Sequence, residues 1–338
     1  MLKRRSWTLA VIVLLANLPL QTGTFQAQTP DSATAGGSSA ADDEVFRSID
    51  LLIRSRRFHD AERLLEDRLS ASLPPASGYF RMGKLYFDHQ EWSRSVLFFQ
   101  RSLRLASQND QAHLLLGLAW RQLKRPDDAE SELLAAASLN PGSDLNAYLA
   151  GHQLLLDEKY EAALGYLYKA VALNPHDAAA LRALGMDQAR LGNYGLAEVY
   201  YKRAIEAAGQ NASEVSAACI DLAFLLLLSH DRAKLTEGLK YAEQALRLGP
   251  PSADAHYVTG KALLKLGRTR EAVDELLQAE KLNPEDAKPH FLLAQAFDRL
   301  GEEQKANGER QALVRIRQRS SGAGIAKGDA LRCHQTCN

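Results

Sequence analysis

The sequence predicts an all-α chain built from helix–turn–helix units that repeat every 34 residues. Three series of residues carry this repeat. Small residues recur in the second helix of each unit, with one offset of seven residues: Ala61, Ser95, Ala129, Ala163, Ala197, Gly238, Ala272 and Ala306. Glycine recurs in the first helix, with alanine in the last unit: Gly83, Gly117, Gly151, Gly185, Gly260 and Ala294. Residues that end a helix close the units: Pro141, Pro175, Gly209, Pro250 and Pro284.

The small residues are explained by helices that pack closely. A glycine or alanine on one helix leaves a hole, which a large side chain of the neighbouring helix can fill. In four units a large residue follows the small one by four positions and so lies on the same helix face: Leu133, Leu167, Tyr201 and Leu276. Because a single unit cannot bury its apolar stripe alone, at least about three units must stack to form a core.

The period, the small residues and the closing prolines resemble those of tetratricopeptide repeats. The resemblance extends over residues 42–318, with units that start near residues 42, 76, 110, 144, 178, 216, 253 and 287. It implies a right-handed superhelical solenoid of about eight repeats. It also implies a binding architecture rather than an activity, because function depends on the sites that a fold carries.

Three units depart from the regular pattern. The first has Ile49 in place of glycine, and terminal repeats are often atypical because one of their faces meets water. The sixth is longer by seven residues and contains a very apolar run. We place Leu222 and Ala223 at its inner positions and expect Thr236 to cap its second helix. In the eighth, the second helix carries several arginines and is expected to face solvent.

Residues 1–27 are interpreted as a secretory signal peptide. Lys3, Arg4 and Arg5 form its basic start, and residues 7–20 form an apolar segment of 14 residues, which is short for a membrane span. We therefore expect the chain to be exported, to the periplasm or as a secreted protein. In the alternative, the signal is not cleaved and residues 7–20 anchor the chain in a membrane. Residues 28–41 have the composition of a flexible linker.

No pattern of residues indicates catalysis, a cofactor or a metal. The nine histidines lack a metal-binding spacing, and no nucleophile–base arrangement emerges. His113, His256 and His290 hold the same place in three units, where we expect them to pack. The formal net charge is zero, which gives no support for nucleic acid as a partner. We therefore expect a protein that is not an enzyme and that binds neither metal nor cofactor.

Residues 319–338 lack periodicity and are expected to form a flexible tail. In this tail Cys333 and Cys337 enclose a histidine, at a spacing that fits neither a haem-attachment motif nor a four-ligand zinc site. If the chain is exported, we expect the two cysteines to form a disulfide. Free thiols and metal binding are the open alternatives.

The resemblance implies that the first helices line a concave groove, into which the fifth and ninth residues of each unit point. Those places, with one neighbouring arginine, include Phe80, Lys84, Leu114, Arg121, Tyr148, His152, Arg182, Tyr257, Lys261 and Phe291. The groove is thus expected to be aromatic and apolar with interspersed cations, which favours an acidic or carboxylate-bearing ligand. The Lys/Asn clamp with which some family members grip a carboxylate is not transferred, because its asparagines are absent here.

Together these features predict a non-catalytic scaffold that binds a peptide or a segment of a protein in the groove, outside the cytoplasm. One alternative is a membrane-anchored assembly or adaptor factor with an uncleaved signal segment, which is the only case in which a membrane would be a partner. A less favoured alternative is an accessory subunit of an enzyme complex.

Overall fold

The structure is a computed structural model that describes residues 40–71 and 75–333, with side chains described for residues 42–69 and 75–319. These residues form sixteen α-helices and no β-strand. Successive helices are joined by short turns, and within each unit the first helices pack on the second helices that follow them. The predicted all-α repeat fold is confirmed.

Residues up to Ala163 form one compact unit, here called unit one, and residues from Leu164 onward form unit two. In its described part, unit one contains α1 (Ala40–Arg54), α2 (Phe58–Ala71), α3 (Pro75–Asp88), α4 (Trp92–Leu105), α5 (Asp110–Gln122), α6 (Pro126–Leu139) and α7 (Asp144–Leu156). The division between the units falls within α8 (Tyr160–Leu173). Unit two continues with α9 (Ala178–Arg190), α10 (Tyr194–Ala208), α11 (Ala212–Leu226), α12 (Arg232–Leu248), α13 (Ala253–Lys265), α14 (Thr269–Leu282), α15 (Ala287–Leu300) and α16 (Glu303–Cys333).

Several first helices start at a polar side chain that accepts a hydrogen bond from the backbone of the first turn. In unit one, Asn109 accepts from the N–H of Ala112 and Ser143 accepts from the N–H of Asn146. In unit two the same role falls to Asp177, Asn211, Ser252 and Asp286. Because these caps satisfy N–H groups that the helix itself leaves unpaired, they fix where each first helix begins.

Glycines of the first helices accommodate large side chains of the second helices, as predicted. In unit one a Cβ on Gly117 would lie 2.8 Å from Cγ of Leu133, and in unit two a Cβ on Gly260 would lie 2.6 Å from Cγ of Leu276. The same close approach occurs in two further pairs, Gly83 with Phe99 and Gly185 with Tyr201. No real Cβ fits at such distances, so each glycine permits the separation between its two helices.

The sixth repeat consists of two long helices, α11 and α12. Leu222 and Ala223 are fully buried in α11, and Gly238 of α12 lies close to the carbonyl oxygen of Ala223. The expectation that Thr236 caps the second helix is wrong. Asp231 caps α12, because its carboxylate accepts from the N–H of Ala233, whereas the Thr236 hydroxyl donates to the Arg232 carbonyl inside the helix.

The ends of the described chain differ from the sequence-based boundaries in two respects. α1 begins at Ala40, two residues before the predicted start. α16 runs to Cys333 and so continues past residue 319, where we expected a flexible tail to begin. Residues 303–333 contain no proline, the residue that interrupts a helix most strongly. The signal segment, most of the linker and Cys337 lie outside the described residues, so the predicted disulfide stays a prediction.

Within the described residues, every helix is too short or too polar to cross a membrane.

Gly185→Ala is expected to destabilise unit two, because the new Cβ would lie 2.8 Å from Cδ1 of Tyr201 and would force the ring to move. Overpacking of this kind costs about 1–3 kcal/mol. Gly308→Ala is the matched control, since an added Cβ there would meet no atom within 4 Å. The control should instead gain about 0.5–1 kcal/mol from the better helix propensity of alanine. Thermal unfolding followed by circular dichroism compares them, and equal midpoints would contradict the close-packing account.

Candidate functional site

The first helices of unit two contact one another in order, α9 with α11, α11 with α13 and α13 with α15. In unit one, α1 contacts α3 and α3 contacts α5 in the same way. Because successive first helices are neighbours, one side of each belongs to a shared surface. We call this surface the first-helix face of the unit.

Tyr257 joins three helices on the first-helix face of unit two. Its ring packs against that of Phe224 in α11, with centroids 5.9 Å apart, and Nζ of Lys288 in α15 lies 5.5 Å from the Tyr257 ring centroid. Burial raises the pKa of Tyr257 to about 12, so its phenol is neutral at physiological pH. An aromatic pair therefore forms the floor of this face.

Lys261 lies one helical turn after Tyr257 and is half-buried. Its Nζ lies 5.3 Å from the ring centroid of Phe224. Burial lowers the pKa of Lys261, and the charges of Lys265 and Lys288 lower it further. Within the described residues, no carboxylate forms an ion pair with Lys261. A partly desolvated cation without a counter-charge is unfavourable unless a further group pairs with it.

Two lysines beside Lys261 are held by groups of the protein itself. Nζ of Lys265 donates to the carbonyl oxygen of Leu227 at 2.6 Å. Nζ of Lys288 lies 3.2 Å from the carboxylate of Asp286. Both lysines add positive charge around Lys261, but each already has a polar partner.

Arg182 and Phe291 complete the predicted set in unit two. Nε of Arg182 in α9 donates to the carboxylate of Asp221 in α11 at 2.6 Å, and each side chain is only 20% exposed. The charge of Arg182 is thus compensated by Asp221 of the neighbouring first helix. Phe291 on α15 is 54% exposed and offers an open aromatic surface.

In unit one, three of the predicted residues occupy different environments. Phe80 is half-buried, with its ring centroid 5.8 Å from that of Phe99. Lys84 is exposed to solvent. Leu114 is only 9% exposed and belongs to a core cluster that includes Leu133. Leu114 is therefore mainly a packing residue.

Arg121 in unit one is also a half-buried cation. One of its terminal guanidinium nitrogens is fully buried and has no hydrogen-bond partner among the described residues. Burial lowers the pKa of Arg121, an effect that the nearby Tyr148 and Asp157 partly offset. The Tyr148 ring lies against the ring of His152, with centroids 5.6 Å apart. Arg121, Tyr148 and His152 thus give unit one its own mixture of a cation and aromatic rings.

The structure also shows a repeated histidine–glutamate contact that the sequence analysis missed. In three repeats Nδ1 of a histidine in the first helix contacts a glutamate nineteen residues later in the second helix: His113–Glu132 at 2.6 Å, His256–Glu275 at 2.7 Å and His290–Glu309 at 2.7 Å. In the sequence, each of these three histidines is followed nineteen residues later by a glutamate, and this equal spacing could have indicated the contacts. These pairs hold the two helices of a repeat together.

Cys219 is the cysteine whose side chain the structure describes. It is fully buried in α11, and burial raises the pKa of its thiol to about 11. The thiol is therefore protonated at neutral pH and behaves as a small apolar side chain. The first-helix faces, in contrast, present rings and cations, which are suited to binding carboxylates and apolar side chains.

Paired helices whose glycines admit large side chains from the neighbouring helix define a helical repeat protein. A tetratricopeptide repeat model matches residues 80–144, 148–212 and 231–280, and a TPR repeat model matches residues 260–301. Together the matched segments make up more than half of the chain. The chain therefore belongs to the tetratricopeptide-repeat family.

Solved structures with the same fold are only distantly related in sequence. PilF of Pseudomonas aeruginosa is 16% identical, with a TM-score of 0.55 over 65% of this chain and 97% of PilF. PilW, a widely conserved type IV pilus biogenesis factor, is 22% identical, with a TM-score of 0.56 over 66% of this chain and 100% of PilW. A tetratricopeptide repeat protein from Parabacteroides merdae is 15% identical, with a TM-score of 0.57 over 75% of this chain and 98% of its own. Such likeness shows the fold alone. No curated protein matches the sequence.

Lys261→Met is expected to stabilise the protein at pH 7, because it removes a desolvated charge and keeps a side chain of similar length. The gain should be on the order of 1 kcal/mol. Since the pKa of Lys261 is lowered in the folded state, the unfolded state binds more protons between that pKa and the ordinary lysine pKa. Wild-type stability should therefore rise with pH in this alkaline window, and the variant should lose this rise.

Lys265→Met is the control for this measurement, because Lys265 is exposed and its ammonium already donates to a carbonyl oxygen. We expect no gain in stability from it. Thermal or urea unfolding at pH 7 and at alkaline pH gives both comparisons. A Lys261→Met chain less stable than wild type at pH 7 would show that the charge of Lys261 is compensated within the fold.

Proposed function

We propose that this chain is a non-catalytic scaffold that binds an acidic segment of a partner protein on the first-helix face of unit two. Repeat proteins of this kind use extended surfaces to bind other proteins. The observation that carries the proposal is Lys261, a partly desolvated ammonium beside aromatic rings, with no carboxylate partner among the described residues.

A carboxylate of the partner would supply what Lys261 lacks. It would form a charge-assisted hydrogen bond at a place already shielded from water, where such a bond is stronger than in bulk solvent. Lys265 and Lys288 would add a positive potential that attracts an acidic segment and speeds its association. The partner is therefore expected to carry Asp, Glu or a free C-terminal carboxylate at this point.

The aromatic residues of the face favour an apolar side chain next to that carboxylate. Phe291 is the most exposed ring of the set, while the buried ring of Tyr257 supports the surface from below. Aromatic side chains give large contact areas at a low entropic cost, which explains their frequency at binding hot spots. An acidic residue near an apolar residue is thus the expected recognition element.

The first-helix face of unit one supports a second binding surface of the same chemical kind. Arg121 there is also half-buried, with an unsatisfied guanidinium nitrogen among the described residues and with Tyr148 nearby. Arginine beside an aromatic ring binds carboxylates well, because its planar group offers paired donors.

A selection of random peptides displayed on phage tests the recognition chemistry without knowledge of the natural partner. Peptides enriched on the full chain are expected to contain Asp or Glu, or to end in a free carboxylate, close to an apolar residue. Their affinity should fall at least about tenfold for Lys261→Glu, because the anchor charge is reversed. Phe291→Ala should weaken the same peptides by a similar factor if the exposed ring is an anchor.

Lys240→Glu is the matched control, since Lys240 is an exposed cation on the second helix α12. Lys240→Glu changes the net charge by as much as Lys261→Glu, but at a position outside the first-helix face of unit two. It should therefore leave peptide affinity nearly unchanged. Enriched peptides that bind Lys261→Glu as well as wild type would refute the site. Loss of binding on Val199→Ser, at an exposed apolar residue of the second helix α10, would assign binding to the second helices instead.

We also propose that the scaffold works outside the cytoplasm. The support is the basic start at Lys3, Arg4 and Arg5, followed by the short apolar segment 7–20. The second candidate is a membrane-anchored adaptor whose signal segment is retained. It rests on the absence of a clear small-residue cleavage motif after the apolar segment.

Residues 1–41 fused to a reporter that is active only outside the cytoplasm should give activity, and replacing Lys3, Arg4 and Arg5 by Glu should reduce it. A reporter that stays inactive would contradict export. N-terminal sequencing of the mature full-length chain then separates the two candidates. A start after residue 20 indicates cleavage and an exported scaffold, whereas an intact N-terminus together with membrane association indicates the anchored adaptor.

A further inference from the structure

The last His–Glu pair of unit two differs from its counterparts by a second carboxylate. Oε1 of Glu280 lies 3.8 Å from Nδ1 of His290, on the side where Glu309 already contacts that nitrogen. One ligand atom from each of the three residues lies within 4.8 Å of the others. The three side chains come from three consecutive helices, α14, α15 and α16. Their grouping depends on how these helices stack, so the spacing of the histidines along the chain could not indicate it.

The other two repeats that contain a His–Glu pair have an apolar residue at the position equivalent to Glu280. Glu280 precedes His290 by ten positions, and the residues ten positions before His113 and His256 are Leu103 and Leu246. Both leucines are packed against core clusters. A leucine at this position is therefore sufficient for packing, and the presence of the Glu280 carboxylate must have another cause.

The ring of His290 is oriented so that Nδ1 faces both carboxylates. The ring is only 4% exposed, and its Nε2–H donates to the carbonyl oxygen of Pro284 at 3.3 Å. In the neutral imidazole with this tautomer, Nδ1 carries a lone pair that points toward negative oxygens. Such an arrangement needs a cation between the nitrogen and the oxygens, either a proton or a metal ion. In metal-binding histidines, the ring nitrogen that does not bind the metal commonly donates to a backbone carbonyl or a carboxylate, as Nε2 of His290 does here.

We propose that Glu280, His290 and Glu309 bind a divalent transition-metal ion, zinc in particular, which links α14, α15 and α16. One imidazole and two carboxylates are ligands that Zn²⁺ accepts, with a fourth position left for water. Ligand atoms about 2.0–2.2 Å from zinc lie about 3.3–3.5 Å apart in a tetrahedral site. The present distances of 2.7 and 3.8 Å bracket this value, and rotations at the ends of the two glutamates can adjust them.

The site is independent of the proposed partner-binding face and serves a structural purpose. The metal would hold α16 to the repeat before it. Metal binding should therefore raise the unfolding temperature and should be reversed by a chelator.

The test is zinc binding by the full chain carrying Cys333→Ser and Cys337→Ser, which removes the thiols of the tail as competing ligands. After treatment with chelator and dialysis, this chain should bind one Zn²⁺ in competition with a fluorescent zinc indicator. Co²⁺ in place of zinc should give visible absorption bands typical of nitrogen and oxygen ligands, without a thiolate band. Zn²⁺ should also raise the unfolding temperature.

Glu280→Leu is the decisive variant, because it recreates the arrangement found at Leu103 and Leu246 and should fold normally. It is expected to lose zinc affinity at least about tenfold and to lose the cobalt bands. His256→Gln, which disrupts the pair that lacks the second carboxylate, should change neither. Absence of zinc binding in the starting chain would refute the site, as would equal affinity in Glu280→Leu or a loss of affinity in His256→Gln.

Discussion

The close approach of two helices at a glycine is the constraint on which the rest of this structure depends. Where a Cβ on Gly185 would lie 2.8 Å from the Tyr201 ring, the helices α9 and α10 can adopt one separation and one register. The same contact at Gly260 and Leu276 fixes α13 against α14. Because each repeat solves the same packing problem, its inner residues recur at a fixed period. The outward residues of the first helices do not share this constraint and are free to carry function.

This constraint explains which features could be predicted from the sequence. The small residues and their large partners belong to single repeats, so their spacing along the chain already predicts their contacts. The cap of α12 was not predictable in the same way, because the longer sixth repeat shifts the helix start to Arg232 and makes Asp231 the cap. The pairing of Arg182 with Asp221 depends on two neighbouring repeats and on side-chain rotamers. The electrostatic state of the predicted groove cations was therefore not predictable from the sequence.

The contrast between Arg182 and Lys261 gives the proposed function its physical basis. Both are half-buried cations on the same face, yet only Arg182 has a carboxylate partner among the described residues. A fold optimised for stability alone would pair Lys261 or replace it by an apolar residue. Its retention is explained if a carboxylate of another protein completes the site. By the same reasoning, the pair of carboxylates at His290 is explained if a metal ion completes that cluster.

Site-specific photocrosslinking in the native compartment tests the central claim most directly. A photoreactive phenylalanine analogue at Phe291 reports contacts of the first-helix face of unit two, and the same analogue at Val199 reports contacts of α10. Both positions are about half exposed, so they are equally accessible in the free chain. The account predicts a protein crosslink from position 291 that is lost when Lys261 is changed to Glu. Crosslinks from position 199 but not from position 291 would contradict it.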